Sequence, residues 1–252
     1  MIAEDLIQAL ALPVDARVDR RVPKSMLVEN GAPTAADKRA IQEGIEEIRW
    51  VAAVKPTTAG VPAYRDDERT YLEVAVIRLS LREGAKPPRL VELMHRAIPY
   101  PVVLVTEQEG QLSLSLVHKR AALNETDRVV LDGDLIETTV GGDTSPDTLR
   151  SFLDALPLDQ QPRGSMHALY AGWANMVTAL NVSRITGRFT LPNTAEHAEA
   201  RRDALKEIAR LDVDIDSARR AAAKEKQIAR RVDLNLELAR LKADREAALQ
   251  QL

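Results

Sequence analysis

The densest group of chemistry-capable side chains in this sequence lies near its end. Between Arg219 and Arg231 stand six basic residues, Arg219, Arg220, Lys224, Lys226, Arg230 and Arg231, against one acid, Glu225. So many cations with so little compensation exceed what solubility needs. They suit phosphates or an acidic partner. Just upstream the sign reverses at Asp212, Asp214 and Asp216. A second basic group, His118-Lys119-Arg120, closes an alternating segment. There Lys119 and Arg120 read as contacts to phosphate or an acidic partner, or as charges that guard a strand end against sheet extension. Arg17, Arg20, Arg21 and Lys24 would add to this corner if the fold brought them to it.

Enzymatic patterns are sparse, and no catalytic residue, metal ligand or cofactor is assigned. A restriction-type nuclease usually closes its site with Asp/Glu-x-Lys on a strand, and no such triplet occurs. A degenerate metal-dependent nuclease site using Asp66, Asp67, Glu68 and Glu73 with Lys119 is the alternative reading. His95, His118, His167 and His197 have 22 or more residues between neighbours, so no pair has ligand spacing on one helix or strand. Neither Gly-x-Gly-x-x-Gly nor a phosphate-binding Gly-rich loop ending in Lys-Ser/Thr is present, which argues against nucleotide hydrolysis. Gly-x-Ser-x-Gly is missing too, so no serine has a nucleophile elbow.

Composition narrows the class. The apolar fraction of 45% and charged fraction of 29% are those of a soluble globular protein. No apolar run approaches the ~20 residues of a membrane span. Met1–Leu12 carries Glu4 and Asp5 and no basic residue, which makes it a poor signal peptide. With no Cys, disulfides and thiolate chemistry are unavailable. These features point to the cytoplasm. The net charge of −3 demands neither nucleic acid nor membrane, and aromatics at 3% argue against base-stacking recognition of single strands.

The elements that must carry these groups follow from periodicity. Met1–Leu12 reads as a short amphipathic helix, and Asp15–Lys24 as basic and extended. Thr34 with Asp37 resembles a capping box. The helix it opens is expected to run to about Lys55, because Ile41, Ile45, Ile48 and Ala52 share one helical face. Tyr71–Leu81 is a strand whose alternation shifts phase, as in a strand buried on both faces or one with a bulge. Pro87-Pro88 opens a helix to about Ala97. Val102–Thr106, a turn at Gly110 and Gln111–Lys119 make a hairpin. A further strand or hairpin lies between Arg128 and Val140, followed by helices at Pro146–Leu156 and Gly164–Val182. The fold class is therefore α+β over residues 1–190, with a small central, mostly antiparallel sheet flanked by helices.

Residues 193–252 contain no Gly and no Pro and are built almost entirely from helix formers. They form a long helical extension, either one helix of roughly 90 Å or a hairpin of half that length. Ile208, Leu211, Ile215 and Ala218 keep an a/d-like spacing, whereas Leu234, Leu238 and Leu241 line a rotated stripe. The change of register fits two segments as well as a coiled-coil dimer.

Several blocks in order resemble a bacterial family catalogued as domain of unknown function number 4391. They are Arg17–Pro23, Ala35–Trp50 with Lys55-Pro56, Tyr71–Leu81, Ala97–Pro101, Ser113–Arg120 and Lys224–Asn235. The resemblance implies genes set beside helicase-like ATPases and adenine-specific DNA methyltransferases in restriction or phage-defence loci. It implies no catalytic residue. Together with the tail, it leads to the expectation of a non-catalytic accessory subunit of an anti-phage or restriction-modification complex. Such a subunit would bind a helicase or methyltransferase and contact double-stranded DNA phosphates. A homodimeric scaffold joined through the C-terminal helix, its basic arc set against the acidic cluster of a second copy, is a further alternative.

Overall fold

The computed structural model describes residues 2–122 and 129–252. The chain divides into two compact units, Met1–Leu180 and Asn181–Leu252. The boundary falls inside a helix rather than at the Pro192 loop. The α+β class holds.

The first unit is organised by a six-stranded sheet. Its strands are β1 (Arg17–Arg21), β2 (Ile45–Val54), β5 (Val74–Leu81), β6 (Val102–Gln108), β7 (Gln111–Ala121) and β8 (Val129–Val140), adjacent in that order. A short helix, α4 (Pro56–Ala59), and a separate two-stranded flap, β3 (Tyr64–Arg65) and β4 (Thr70–Tyr71), lie between β2 and β5 in the chain. Only β5 and β6 run parallel; the other neighbours are antiparallel. A parallel step needs a crossover. Helix α5 (Pro87–Ala97) supplies it, opened by prolines at its first positions. The β6–β7 hairpin turns on Glu109 (φ 49°) and Gly110 (φ 76°), the two positive-φ positions of a tight turn whose twist matches its strands.

Helices α2 (Lys24–Gly31), α3 (Ala35–Gly44) and α5 cover one sheet face. Leu27, Ile41, Leu90, Leu93 and Met94 close there on Ala75, Ile77, Leu79, Val102 and Leu104. The alternate residues Val74, Val76, Val103 and Val105 are equally buried, so the second face is covered as well. On the helical side of this unit are α1 (Ala3–Ala9), which touches β6, α6 (Pro146–Ala155) and α7 (Met166–Thr186). Trp173 of α7 is wholly buried and donates to the Leu156 carbonyl at 2.9 Å. The Tyr170 hydroxyl sits where the β6–β7 ladder ends. It accepts from the Val117 amide at 3.0 Å and lies 2.9 Å from the Val102 carbonyl.

The helix expected to reach Lys55 stops at Gly44. From Ile45 the chain is β2, antiparallel to β5 along its whole length. The apolar spacing of Ile41, Ile45, Ile48 and Ala52 fits a helix. However, Trp50, Val51 and Val54 favour a pleated, buried surface, and tertiary pairing decides between the two. Gly44 also sits where a Cβ would meet Leu90 Cδ1 at 3.0 Å, so close packing favours glycine at the switch. Thr34 does cap α3, accepting from the Asp37 amide at 3.1 Å. The Asp15–Lys24 run read as extended holds β1, and α2 begins at its last residue.

The second unit contains α8 (Ala195–Lys224) and α9 (Ile228–Leu249), two helices folded against each other. The glycine-free tail is thus a hairpin that reverses over Glu225–Gln227. Glu225 Oε1 accepts the Gln227 amide at 2.7 Å, which holds the reversal without glycine. Residues 198, 201, 204, 208, 211, 215, 218 and 222 of α8 are buried, a heptad-like seam longer than the stretch read from sequence. Arg201 is buried within this unit and donates to the carbonyls of Thr190 (2.6 Å) and Leu252 (2.8 Å). Arg245 reaches Asp212 across the two helices at 2.5 Å. Among the described residues no helix is long and apolar enough to cross a membrane.

Candidate functional site

The hairpin gathers the six tail cations at its closed end. Arg219, Arg220 and Lys224 occupy the last turns of α8, Lys226 the reversal, and Arg230 and Arg231 the first turn of α9. All six are exposed. Arg219 pairs with Asp216 at 3.0 Å, and Arg220 Nε donates to the Asp216 carbonyl at 3.1 Å. Among the described residues Lys224, Lys226, Arg230 and Arg231 have no ion-pair partner.

Helix electrostatics separate the six. Cations in the last turn of α8 meet the negative end of its dipole and are stabilised there. Arg230 and Arg231 meet the positive end of α9, where the first turn has no acid and Gln227 gives no side-chain cap. Each of these cations opposes the dipole at a cost of about 0.3–1 kcal/mol. Their placement works against α9, so helix stability does not explain it. An anion set against this end would meet unpaired guanidinium groups and the free amides of a helix N-terminus together.

The acidic cluster upstream is engaged internally. Asp212 holds Arg245, Asp214 holds Arg210 at 2.7 Å, and Asp216 holds Arg219. All three pairs lie within the hairpin unit.

The His118-Lys119-Arg120 corner splits across the sheet. Lys119 is 3% exposed and lies on the α5 side, where its ammonium donates to the Ile98 carbonyl just past the end of α5. Burial lowers its pKa to about 7. An amine so enclosed does not reach a phosphate, so Lys119 falls outside any surface contact. Arg120 remains half-exposed, with Asp132 at 3.8 Å. Arg17, Arg20 and Arg21 are on edge strand β1, four strands from β7, roughly 19 Å at the usual strand spacing. The fold does not join them to this corner. Lys24 instead donates to the Ile45 carbonyl.

Beneath α5, next to Lys119, His95 is fully buried, with Nε2 at 3.0 Å from Ser115 Oγ. Burial, and then the nearby Lys119 charge, lower its pKa to about 3, so the imidazole is neutral. On the opposite side of β7 is a cluster that no spacing revealed. Tyr71 Oη lies 2.6 Å from His118 Nδ1 and accepts from the Lys119 amide at 3.4 Å. His167, in the first turn of α7, stacks on Tyr64 at 4.9 Å between ring centroids and stands 5.1 Å from His118. Tyr170 closes the group at 5.3 Å from His118. Three of the four tyrosines and two of the four histidines thus pack together from segments 47 or more residues apart, beyond the reach of any local pattern. Burial, then Arg69, lower the pKa of His167. The cluster carries the Tyr71–His118 hydrogen bond and fastens the β3–β4 flap to β7 and α7.

The acidic loop proposed as a metal site is otherwise occupied. Asp66 Oδ1 accepts the amides of Glu68 and Arg69, and its Oδ2 takes the Tyr64 hydroxyl at 2.7 Å. Glu73 pairs with Lys55 at 3.4 Å. Among the described residues no three His, Cys, Asp or Glu side chains converge as a metal site.

The chain thus combines an α+β sheet unit with a helical hairpin that has a cationic tip. The chain belongs to the family described as Domain of unknown function (DUF4391), whose profile matches residues 10–244. No curated protein and no solved structure matches it.

Proposed function

We propose that this chain is a non-catalytic, cytoplasmic accessory subunit whose C-terminal hairpin is its contact arm. The hairpin tip meets the phosphate backbone of double-stranded DNA without reading sequence, and the arm holds a helicase-like ATPase or DNA methyltransferase of a restriction or phage-defence complex. One observation carries the reading: six exposed cations converge at the tip, two of them where they oppose their own helix. Phosphate contacts of this kind position a protein and carry no base information. Arg120 belongs to the other unit and is not assigned to this contact.

Duplex binding tests the tip. Wild type should bind a random-sequence duplex with an affinity that falls steeply with salt, by a log–log slope of about 0.9 per phosphate contacted. The Arg219→Glu/Arg220→Glu/Arg230→Glu/Arg231→Glu variant should lose that affinity and its slope. Unchanged binding would sink the reading. Co-purification with the neighbouring gene products, with only this chain tagged, tests the partner half.

A further inference from the structure

We propose that the outward face of α9 docks an acidic amphipathic helix of a partner protein. The inference rests on the hairpin being a contact arm, and it names the chemistry of the partner.

Although 22 residues long, α9 buries none of them fully. Its α8-facing side is Leu234, Leu238, Leu241, Arg245 and Ala248, all half-buried. A second apolar line runs on the far side. At about 100° per residue, Ile228 and Leu236 lie some 40° to either side of Val232, and Ala239 and Ala243 fall between them. Ile228 is 72% exposed, Val232 51% and Leu236 65%. One exposed aliphatic side chain is ordinary. Three at i, i+4 and i+8, on the side turned from the hairpin seam, form the ridge that helix-against-helix recognition uses.

Charge selects the occupant. From Lys226 to Lys242 there are five cations, Lys226, Arg230, Arg231, Arg240 and Lys242, against Asp233 and Glu237. Arg231 and Lys242 shoulder the ridge on one side, and Arg240 with Asp233 on the other. A second copy paired through Ile228–Leu236 would press one cationic tip onto another, and its acids Asp212, Asp214 and Asp216 are already engaged. A nucleic acid would satisfy the cations but set phosphates against three aliphatic side chains. A helix with its own apolar ridge and Glu or Asp on the shoulders satisfies both. Ile228 to Ala243 spans about 22 Å, so four turns of partner helix would cover it.

The test uses the full chain and three designed peptides of about 18 residues, long enough for five turns. One carries a leucine ridge flanked by glutamates, one has the same composition scrambled, and one has lysine for every glutamate. Fluorescence anisotropy at physiological salt should show the acidic amphipathic peptide binding at least tenfold more tightly than either control. Val232→Ser/Leu236→Ser should weaken it at least tenfold with duplex affinity and helicity by circular dichroism unchanged, while Val232→Ile keeps it. Equal binding of the scrambled peptide, or full binding by the double-Ser variant, overturns the proposal. So does light scattering that shows a dimer which the double-Ser variant dissolves. Peptide binding without duplex binding would leave this inference standing and remove the DNA contact; the reverse result would do the opposite.

Discussion

In the sheet unit Arg69 meets Asp132, Arg78 meets Glu107 and Arg89 meets Asp37, each at 2.7 Å, and Lys119 is buried against a carbonyl. At the hairpin tip, among the described residues, Lys224, Lys226, Arg230 and Arg231 meet no acid. Exposed pairs contribute little stability, on the order of 0–1 kcal/mol, so the contrast is not mainly one of folding energy. It is one of availability. The sheet unit uses its cations to satisfy its own acids and helix ends. The hairpin tip leaves Lys224, Lys226, Arg230 and Arg231 open, and the last two oppose the dipole of the helix that bears them. Apolar residues divide the same way. Those of the central strands β5 and β6 are enclosed on both faces, whereas α9 has an aliphatic ridge in water.

Four variants would break or sharpen that contrast. Trp173→Ala should have the largest effect, a loss of roughly 3–5 kcal/mol from a filled site, read by chemical denaturation. If the loss were under 1 kcal/mol, the packing assigned to α7 would be wrong. Lys119→Met comes next. The folded pKa of Lys119 lies near 7 and its ordinary value near 10.5, so between those values the unfolded chain binds the extra proton. Stability from this group therefore rises with pH from 7 and is lost as pH falls back toward 7. Wild type should gain stability between pH 7 and 9.5, a window below the tyrosine range. The Met variant should be more stable at pH 7, on the order of a few kcal/mol, and flatter across the window. A parallel pH dependence of the two proteins would show that Lys119 keeps its charge when buried.

Arg230→Glu/Arg231→Glu should act in the opposite sense on stability and binding. Acids in the first turn of α9 suit its dipole, so thermal denaturation should show a gain of about 0.5–2 kcal/mol for the pair while duplex affinity falls. If hairpin stability fell with binding, the cations would be structural. The smallest effect belongs to Val232→Ser/Leu236→Ser, whose exposed sites should change stability by less than about 0.5 kcal/mol each. A larger loss would mean that the ridge is covered within the chain.

Much of this was legible in the residues. Pro87-Pro88 announced α5, Glu109-Gly110 the hairpin, and the breaker-free tail a long helical element. The six tip cations were visible as a run. What could not be read was where that run bends, since Lys224-Glu225-Lys226-Gln227 contains no glycine or proline and turns through a side-chain bond to a backbone amide. The β2 error came from a spacing that satisfies both periods over a few residues. Lys119 was open to a closer reading: alternation along β7 puts it with Ser113, Ser115 and Val117, on the side away from His118 and Arg120. The tyrosine–histidine cluster was out of reach, because its members meet only after the flap, β7 and α7 have closed on one another.

The hydroxyl of Tyr170 at the end of the β6–β7 ladder has a consequence for amide exchange. Strands β6 and β7 are joined by a tight local turn, so most of their rungs close over a few residues of chain. The rung at Val117 is closed by a phenol 53 positions downstream. Its amide is shielded by a docked helix rather than by a neighbouring strand. The solvent exchange rate at Val117 therefore clocks the opening of α7, and the adjacent rungs clock the opening of the sheet.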